Sequence, residues 1–161
     1  MKDYIASTER LVSELPKNYD ELDDEHKAVQ KYLWNTGFQY GDWLLPSIQM
    51  SGNSIFEVVV QTGHIVATLM LIITTEMMTK ICEILDEEEL AAHYREYAAK
   101  VKNAFAVEYV NDDGTRTKEY QGGYVLALKA GAIPEKLREN ALNRLVEMIN
   151  DNNNLLDTGF L

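Results

Sequence analysis

Gly63-His64-Ile65-Val66-Ala67-Thr68-Leu69-Met70-Leu71-Ile72-Ile73 is the stretch that decides the fold. A helix at the surface of a globular protein carries one apolar stripe and one polar face. Here the apolar residues leave no stripe for solvent through the first turns of a segment that continues to Leu85, so other elements must enclose it. The apolar run 65–73 is too short to cross a bilayer before Thr74, Thr75 and Glu76 interrupt it. Residues 1–6 lack the apolar core of a signal peptide. The expectation is a soluble, cytoplasmic chain with no membrane partner.

Working outward, Asp86 followed three residues later by Glu89 imitates a capping box. It opens a helix whose stripe runs Leu90, Tyr94, Tyr97, Val101 and Phe105, with charge on its other face, so this helix lies outside the enclosed one. Asn111-Asp112-Asp113-Gly114 is a turn signal, and residues 107–110 and 115–120 could pair across it as one short β-hairpin. Gly122 and Gly123 open another helix, 124–130, apolar on all sides and closed by Gly131 in the position of a C-terminal cap. Pro134 and Glu135 begin the last, with Leu137, Ala141, Leu145, Met148 and Ile149 on one face, and Asn152-Asn153-Asn154 ends it.

Upstream, Tyr4, Thr8, Leu11, Val12 and Leu15 share a helical stripe that Pro16 terminates. Leu22, His26, Val29 and Leu33 mark a second helix through 19–33, before Gly37 and Gly41 break the pattern in an aromatic-rich loop. Interior and exterior helices therefore alternate. That order predicts an all-α single domain, 1–161, built of helical hairpins in concentric rings, an (α/α) toroid. A four-helix bundle, in which every helix carries a similar stripe, is the alternative.

Composition agrees with this and excludes several functions. The 161 residues are 46% apolar and 25% charged, and 9 Gly with 3 Pro punctuate so long a chain sparsely. A net charge of −11 with no basic run repels phosphate backbones, so no nucleic-acid partner is expected. The one cysteine, Cys82, falls in the apolar stretch and reads as a buried bystander. His26, His64 and His93 have no metal-ligand spacing, and no nucleophile elbow, phosphate loop or dinucleotide fingerprint is present. No metal or cofactor is expected.

Polar and aromatic residues gather just before the interior helices: Gly41-Asp42-Trp43, then Gln61-Thr62-Gly63-His64, then Glu119-Tyr120-Gln121, with Asp157-Thr158-Gly159-Phe160 in the equivalent place after the last helix. If the interior helices run parallel, these loops collect on one rim, where helix N-termini also project free N–H donors. Trp43 beside Asp42 suits a sugar, since an indole covers the C–H face of a pyranose while a carboxylate accepts from hydroxyls. The alternatives stay open: Asp42 can cap a turn, Trp43 can fill the core, and Tyr120 and Gln121 can belong to a capped helix start. His64 can bond a ligand hydroxyl or local backbone.

From Trp34 onward the chain resembles the helical catalytic domain of bacterial α-L-rhamnosidases, through Gly41-Asp42-Trp43-Leu44-Leu45-Pro46, Tyr120-Gln121 with Leu126-Ala127-Leu128, Ile133-Pro134-Glu135-Lys136, and Thr158-Gly159-Phe160-Leu161. The resemblance implies about three hairpins of a six-hairpin toroid, from an enzyme that hydrolyses terminal α-L-rhamnosyl groups with inversion. It also implies Asp42, Trp43, Tyr120 and Gln121 as substrate-binding residues. Inversion needs a general acid and a general base roughly 6.5–9.5 Å apart. The family's acid lies upstream of the segment matching Met1 and its base downstream of Leu161, so catalytic residues are not assigned here and the isolated chain is expected to be inactive. Should a pair have been recruited anew, Asp42 with Glu119 or Asp157 are the candidates. Half a ring would expose the flanks of its interior helices, which predicts a homo-oligomer. The contrasting reading is a non-enzymatic helical interaction module, and a toroidal enzyme acting on pectic sugars shares the architecture.

Overall fold

The computed structural model describes residues 10, 12, 14–47 and 54–159. The helix expected over 4–15 lies largely outside the described residues, although Arg10 and Val12 are helical and Val12 is fully buried. The helix expected over 19–33 is three short pieces: a 3-10 turn Tyr19–Glu21, helix α1 Asp24–Val29, and a 3-10 turn Gln30–Tyr32. The break has a local cause. Leu22 is extended, and Asp23 takes the extended N-cap conformation with its carboxylate accepting the His26 N–H at 2.8 Å, so the chain restarts as a new helix there.

Helix α2, Ile55–Ile84, begins eight residues before Gly63. Its start signal is Ser54-x-x-Glu57, a capping box in which the Glu57 carboxylate accepts the Ser54 N–H at 3.2 Å. Gly63 therefore sits inside the helix rather than at its head. A Cβ there would fall 2.7 Å from the Gln39 carbonyl, so the glycine lets the aromatic loop lie directly on the helix. Buried Thr62, Thr75 and Thr79 turn their hydroxyls back onto the carbonyls of Val58, Leu71 and Thr75, leaving methyls to pack.

Helix α3, Glu88–Tyr109, returns antiparallel along α2: Lys102 pairs with Glu76 at 2.5 Å, and Arg95, nearer the turn, pairs with Glu83. The capping box expected from Asp86 and Glu89 does not form. Asp86 adopts φ +57° in the tight reversal and Glu87 is the N-cap without a side-chain bond. The stripe lies as expected, with Tyr94, Val101 and Phe105 buried and Leu90 and Tyr97 half-buried.

After α3, Gly114 at φ +86° closes a turn by donating to the Asn111 carbonyl at 2.9 Å. The short β-hairpin expected here reduces to one antiparallel bridge between Val110 and Arg116, because α3 holds residues 107–109 in its last turn. Helix α4, Gln121–Lys129, starts three residues earlier than its apolar pattern and ends at Gly131, φ +59°. A 3-10 turn Glu135–Leu137 leads into α5, Arg138–Asp151, which buries Ala141 and Leu145 and half-buries Met148 and Ile149.

The architecture is all-α, with α2/α3 and α4/α5 as two complete hairpins of the (α/α) toroid among the described residues. One face of α2 is enclosed through its middle turns: Thr62, Ile65, Leu69 and Ile72 have at most 1% exposure, held between α3, α4 and the aromatic loop. Each such aliphatic side chain contributes about 2 kcal/mol. Enclosure is incomplete elsewhere, with Phe56 and Val60 exposed in the first turns. Met70, Met77 and Ile84 share an exposed line on α2, and Val125 of α4 is also exposed, so neither interior helix is covered on all sides. By length and composition Phe56–Ile84 could cross a membrane, but its most apolar window is 61% buried within the domain, as in a core helix.

Candidate functional site

Asp42 anchors the site. It is fully buried, its N–H donates to Thr62 Oγ1 at 2.9 Å, and its Oδ1 accepts the Gly159 N–H at 2.8 Å. Its Oδ2 lies against Gly122 in the first turn of α4, where an added Cβ would come within 2.1 Å. One residue thus joins the loop before α2 to the body of α2 through its backbone N–H, to the segment after α5 through Oδ1, and packs its unpaired Oδ2 against the start of α4. Because Asp42 touches both Thr62 in the early part of α2 and Gly122 at the head of α4, the two interior helices begin toward the same end. Burial pushes its carboxyl above the usual range; the Gly159 N–H opposes this, and the nearby Asp157 charge adds to the rise.

The other expected residues divide by role. Gln121 is buried and fully engaged: its Nε2 donates to the carbonyls of Met148 (3.4 Å) and Leu155 (3.2 Å), and its Oε1 accepts the Asp157 N–H at 2.8 Å. It is a strut for the segment after α5. Trp43 is half-buried, with its ring edge-on to Tyr40 at 6.3 Å, and Tyr40 is edge-on to Phe38 at 5.1 Å. Phe38 and Tyr40 are both mostly exposed, so the loop presents a short aromatic row to solvent. Tyr120 is buried at the lip of a cavity of about 420 Å³ that Leu45, Ser47, Thr62, Glu119 and Asp157 also line. Asp42, Trp43 and Gln121 are not among its lining residues.

The two carboxylates considered as partners for Asp42 are both occupied. Glu119 accepts from Arg144 through both oxygens (2.9 and 2.8 Å) and from the Tyr124 hydroxyl at 2.7 Å. The Arg144 bonds hold its carboxyl below the usual range. Asp157 accepts the Ser47 N–H at 2.9 Å and the Ser47 hydroxyl at 2.6 Å. His64 lies half-buried on α2 with Nε2 donating to the Gly37 carbonyl at 3.2 Å. Among the described residues there is no cluster of three His, Cys, Asp or Glu side chains suited to a metal.

Arg116 is the residue that pattern reading missed. It is 2% exposed, and its guanidinium lies 5.4–5.6 Å from the ring centres of Phe105, Tyr120 and Tyr124. None of its three side-chain nitrogens has a hydrogen-bond acceptor among the described residues, and the Tyr120 hydroxyl is likewise unpaired. Burial pulls the guanidinium's pKa down and pushes the Tyr120 phenol's up. Gly123 leaves the room: a Cβ there would fall 1.9 Å from Arg116 Nη1. Nothing local in Thr115-Arg116-Thr117 signals burial, since the cage comes from α3 and α4. The Gly122-Gly123 pair was the readable trace.

Residues 7–161 match the family described as the bacterial alpha-L-rhamnosidase 6 hairpin glycosidase domain. The chain is 30% identical to an alpha-L-rhamnosidase of Streptomyces avermitilis over 122 residues, 76% of this chain and 11% of that protein. It is also 30% identical to one from Formosa agariphila over 155 residues, 91% of this chain and 16% of that protein. Among solved structures, the Streptomyces avermitilis alpha-L-rhamnosidase complexed with L-rhamnose superposes with a TM-score of 0.66 at 26% identity, covering 90% of this chain and 12% of that one. The native Aspergillus terreus enzyme superposes with a TM-score of 0.70 at 23% identity, covering 96% and 19%, a likeness of fold. The chain therefore spans between 11% and 19% of the length of these relatives.

Proposed function

This chain belongs to the bacterial alpha-L-rhamnosidase six-hairpin glycosidase family, and from that membership we propose that it forms one wall of the sugar-binding mouth of an inverting α-L-rhamnosidase. The observation that carries the reading is the meeting of three separate segments at Asp42, beside a 420 Å³ cavity lipped by Tyr120. The cavity combines apolar and hydrogen-bonding walls, as a site for a deoxyhexose requires. Tyr120 supplies ring surface within the cavity, and Trp43, outside its lining on the loop before α2, offers a second ring for the C–H face of the sugar. Asp42 and Gln121 act as positioning residues: the first fixes the peptide that carries Trp43, and the second fixes the backbone of Asp157.

Inverting hydrolysis needs a carboxylic acid to protonate the leaving oxygen and a carboxylate to activate water on the opposite face. Glu119 is held ionised by Arg144, Asp157 is engaged by Ser47 through both oxygens, and Asp42 is sealed from solvent. None of the three is assigned to proton transfer. The part proposed for this chain is binding, and hydrolysis of a nitrophenyl rhamnoside by it alone is not expected.

A second reading, a helical interaction module that self-associates, draws on the exposed line Met70, Met77 and Ile84. Titration followed by tryptophan fluorescence separates the two. Saturable change with L-rhamnose, absent with D-glucose and lost in Trp43→Ala while Trp34 remains, is the expected result. A flat titration, with a sedimentation mass that rises with concentration, overturns the sugar reading in favour of the module.

A further inference from the structure

Behind Tyr120, one ring deep from the mouth, lies a buried positive charge with no hydrogen-bonded counter-ion among the described residues. The Tyr120 hydroxyl is turned away from solvent, so the ring is what the cavity meets. Arg116 is not among the lining residues; its guanidinium lies 5.4 Å from the centre of that ring. Arginine keeps its proton even in a protein interior. The backbone pins the residue in place, with its N–H donating to the Tyr124 hydroxyl at 3.0 Å and a bridge to Val110. The charges on the cavity wall oppose one another: Glu119 is paired with Arg144, and Lys118 and Asp157 differ in sign. Asp42 packs against Gly122 where Arg116 packs against Gly123, no hydrogen bond joins the two, and burial favours the neutral form of the acid. Exposed charges are screened beyond about 8 Å at physiological salt, whereas a charge buried among rings is screened much less. The field that persists in the mouth is therefore positive and comes from Arg116.

We propose that Arg116 is a specificity-determining residue, whose charge makes the mouth reject sugars that carry an ammonium group and accept neutral or anionic ones. A chain of net charge −11 draws cations toward its surface, so discrimination against them needs a local charge of the opposite sign. The aromatic cage supplies it. Rings hold a guanidinium by their faces without neutralising it, as a carboxylate partner would. A ligand touching Tyr120 lies within about 10 Å of the guanidinium, close enough for an incompletely screened charge to be felt. The inference rests on the mouth being the seat of the sugar.

The test uses L-rhamnose and the two analogues in which its methyl group becomes an aminomethyl group or a carboxylate, titrated by calorimetry into the full chain and into Arg116→Met. At about 0.15 M salt the parent should bind the carboxylate analogue about tenfold more tightly than the amine. Arg116→Met should bring that ratio to within about twofold of unity. A merely structural role moves both affinities together and leaves their ratio alone. A second measurement needs no variant: lowering the salt to about 0.01 M should change the parent's ratio little, because the charge responsible is buried. A parent ratio near unity, a ratio that Arg116→Met retains, or a preference present only at low salt, which assigns it to exposed Lys118, overturns this inference. Each of these, with L-rhamnose still bound, leaves the mouth assignment standing. Absence of L-rhamnose binding by the parent overturns the mouth assignment and this inference with it.

Discussion

Replacing Gly122 with alanine sets two effects of opposite sign against each other. Alanine is the better helix former by up to about 1 kcal/mol, and Gly122 lies in the first turn of α4 without a positive φ. On propensity alone the variant should be more stable. The new Cβ, however, would lie 2.1 Å from Asp42 Oδ2 and 3.3 Å from its Cγ. Asp42 must retreat by roughly 1 Å to reach an ordinary carbon–oxygen separation. It has little freedom to do so, since its N–H is fixed on Thr62 and its Oδ1 on the Gly159 N–H. Losing a hydrogen bond to a charged group costs about 1.5–3 kcal/mol and an off-rotamer side chain about 1 kcal/mol more. Net destabilisation is therefore about 2 kcal/mol, which for a chain of this size lowers Tm by about 4–8 °C. Thermal and urea unfolding followed by circular dichroism measure it. In the double variant with Asp42→Ala the clash has no partner, so the two losses should fall short of additivity by about 1 kcal/mol or more. A Gly122→Ala protein as stable as the parent, or strict additivity in the cycle, would refute the packing of Asp42 against α4.

Two further outcomes follow from the same buried groups. Arg116→Met replaces an unpaired buried guanidinium by an apolar side chain of similar length and keeps sulfur–aromatic contact with the cage, so urea midpoints should stay level or rise by about 1 kcal/mol; a loss above about 2 kcal/mol would mean that the guanidinium has an acceptor in solution. Because burial raises the folded-state pKa of Asp42, the folded protein holds that proton more tightly than the unfolded chain, and its contribution to stability falls as pH rises from the unfolded value through the raised one. Asp42→Asn, whose amide oxygen can still accept the Gly159 N–H, should remove this slope and match or exceed the parent's stability at neutral pH. A parent whose Asp42-dependent stability increases with pH across that window contradicts the assignment.

The amino-acid sequence by itself determined the helical plan, because periodicity and caps act within a few residues of one another. The unstriped run after Gly63 demanded enclosure, Gly131 and the Asn152–Asn154 stop ended α4 and α5, and the motif order from Gly41-Asp42-Trp43 to Thr158-Gly159-Phe160 carried the family. Ser54-x-x-Glu57 was equally legible and moves the start of α2 eight residues upstream; an interior glycine outweighed it in the reading of the pattern. Only the tertiary structure decided which polar side chains face a ligand and which hold the scaffold. Asp42 meets Gly159 across 117 positions, Glu119 meets Arg144 across 25, and Arg116 is caged by rings from two helices. A short polar side chain takes its direction from the donors and acceptors within about 3 Å of it. Here those partners arrive from distant segments, so they leave no local periodicity to read.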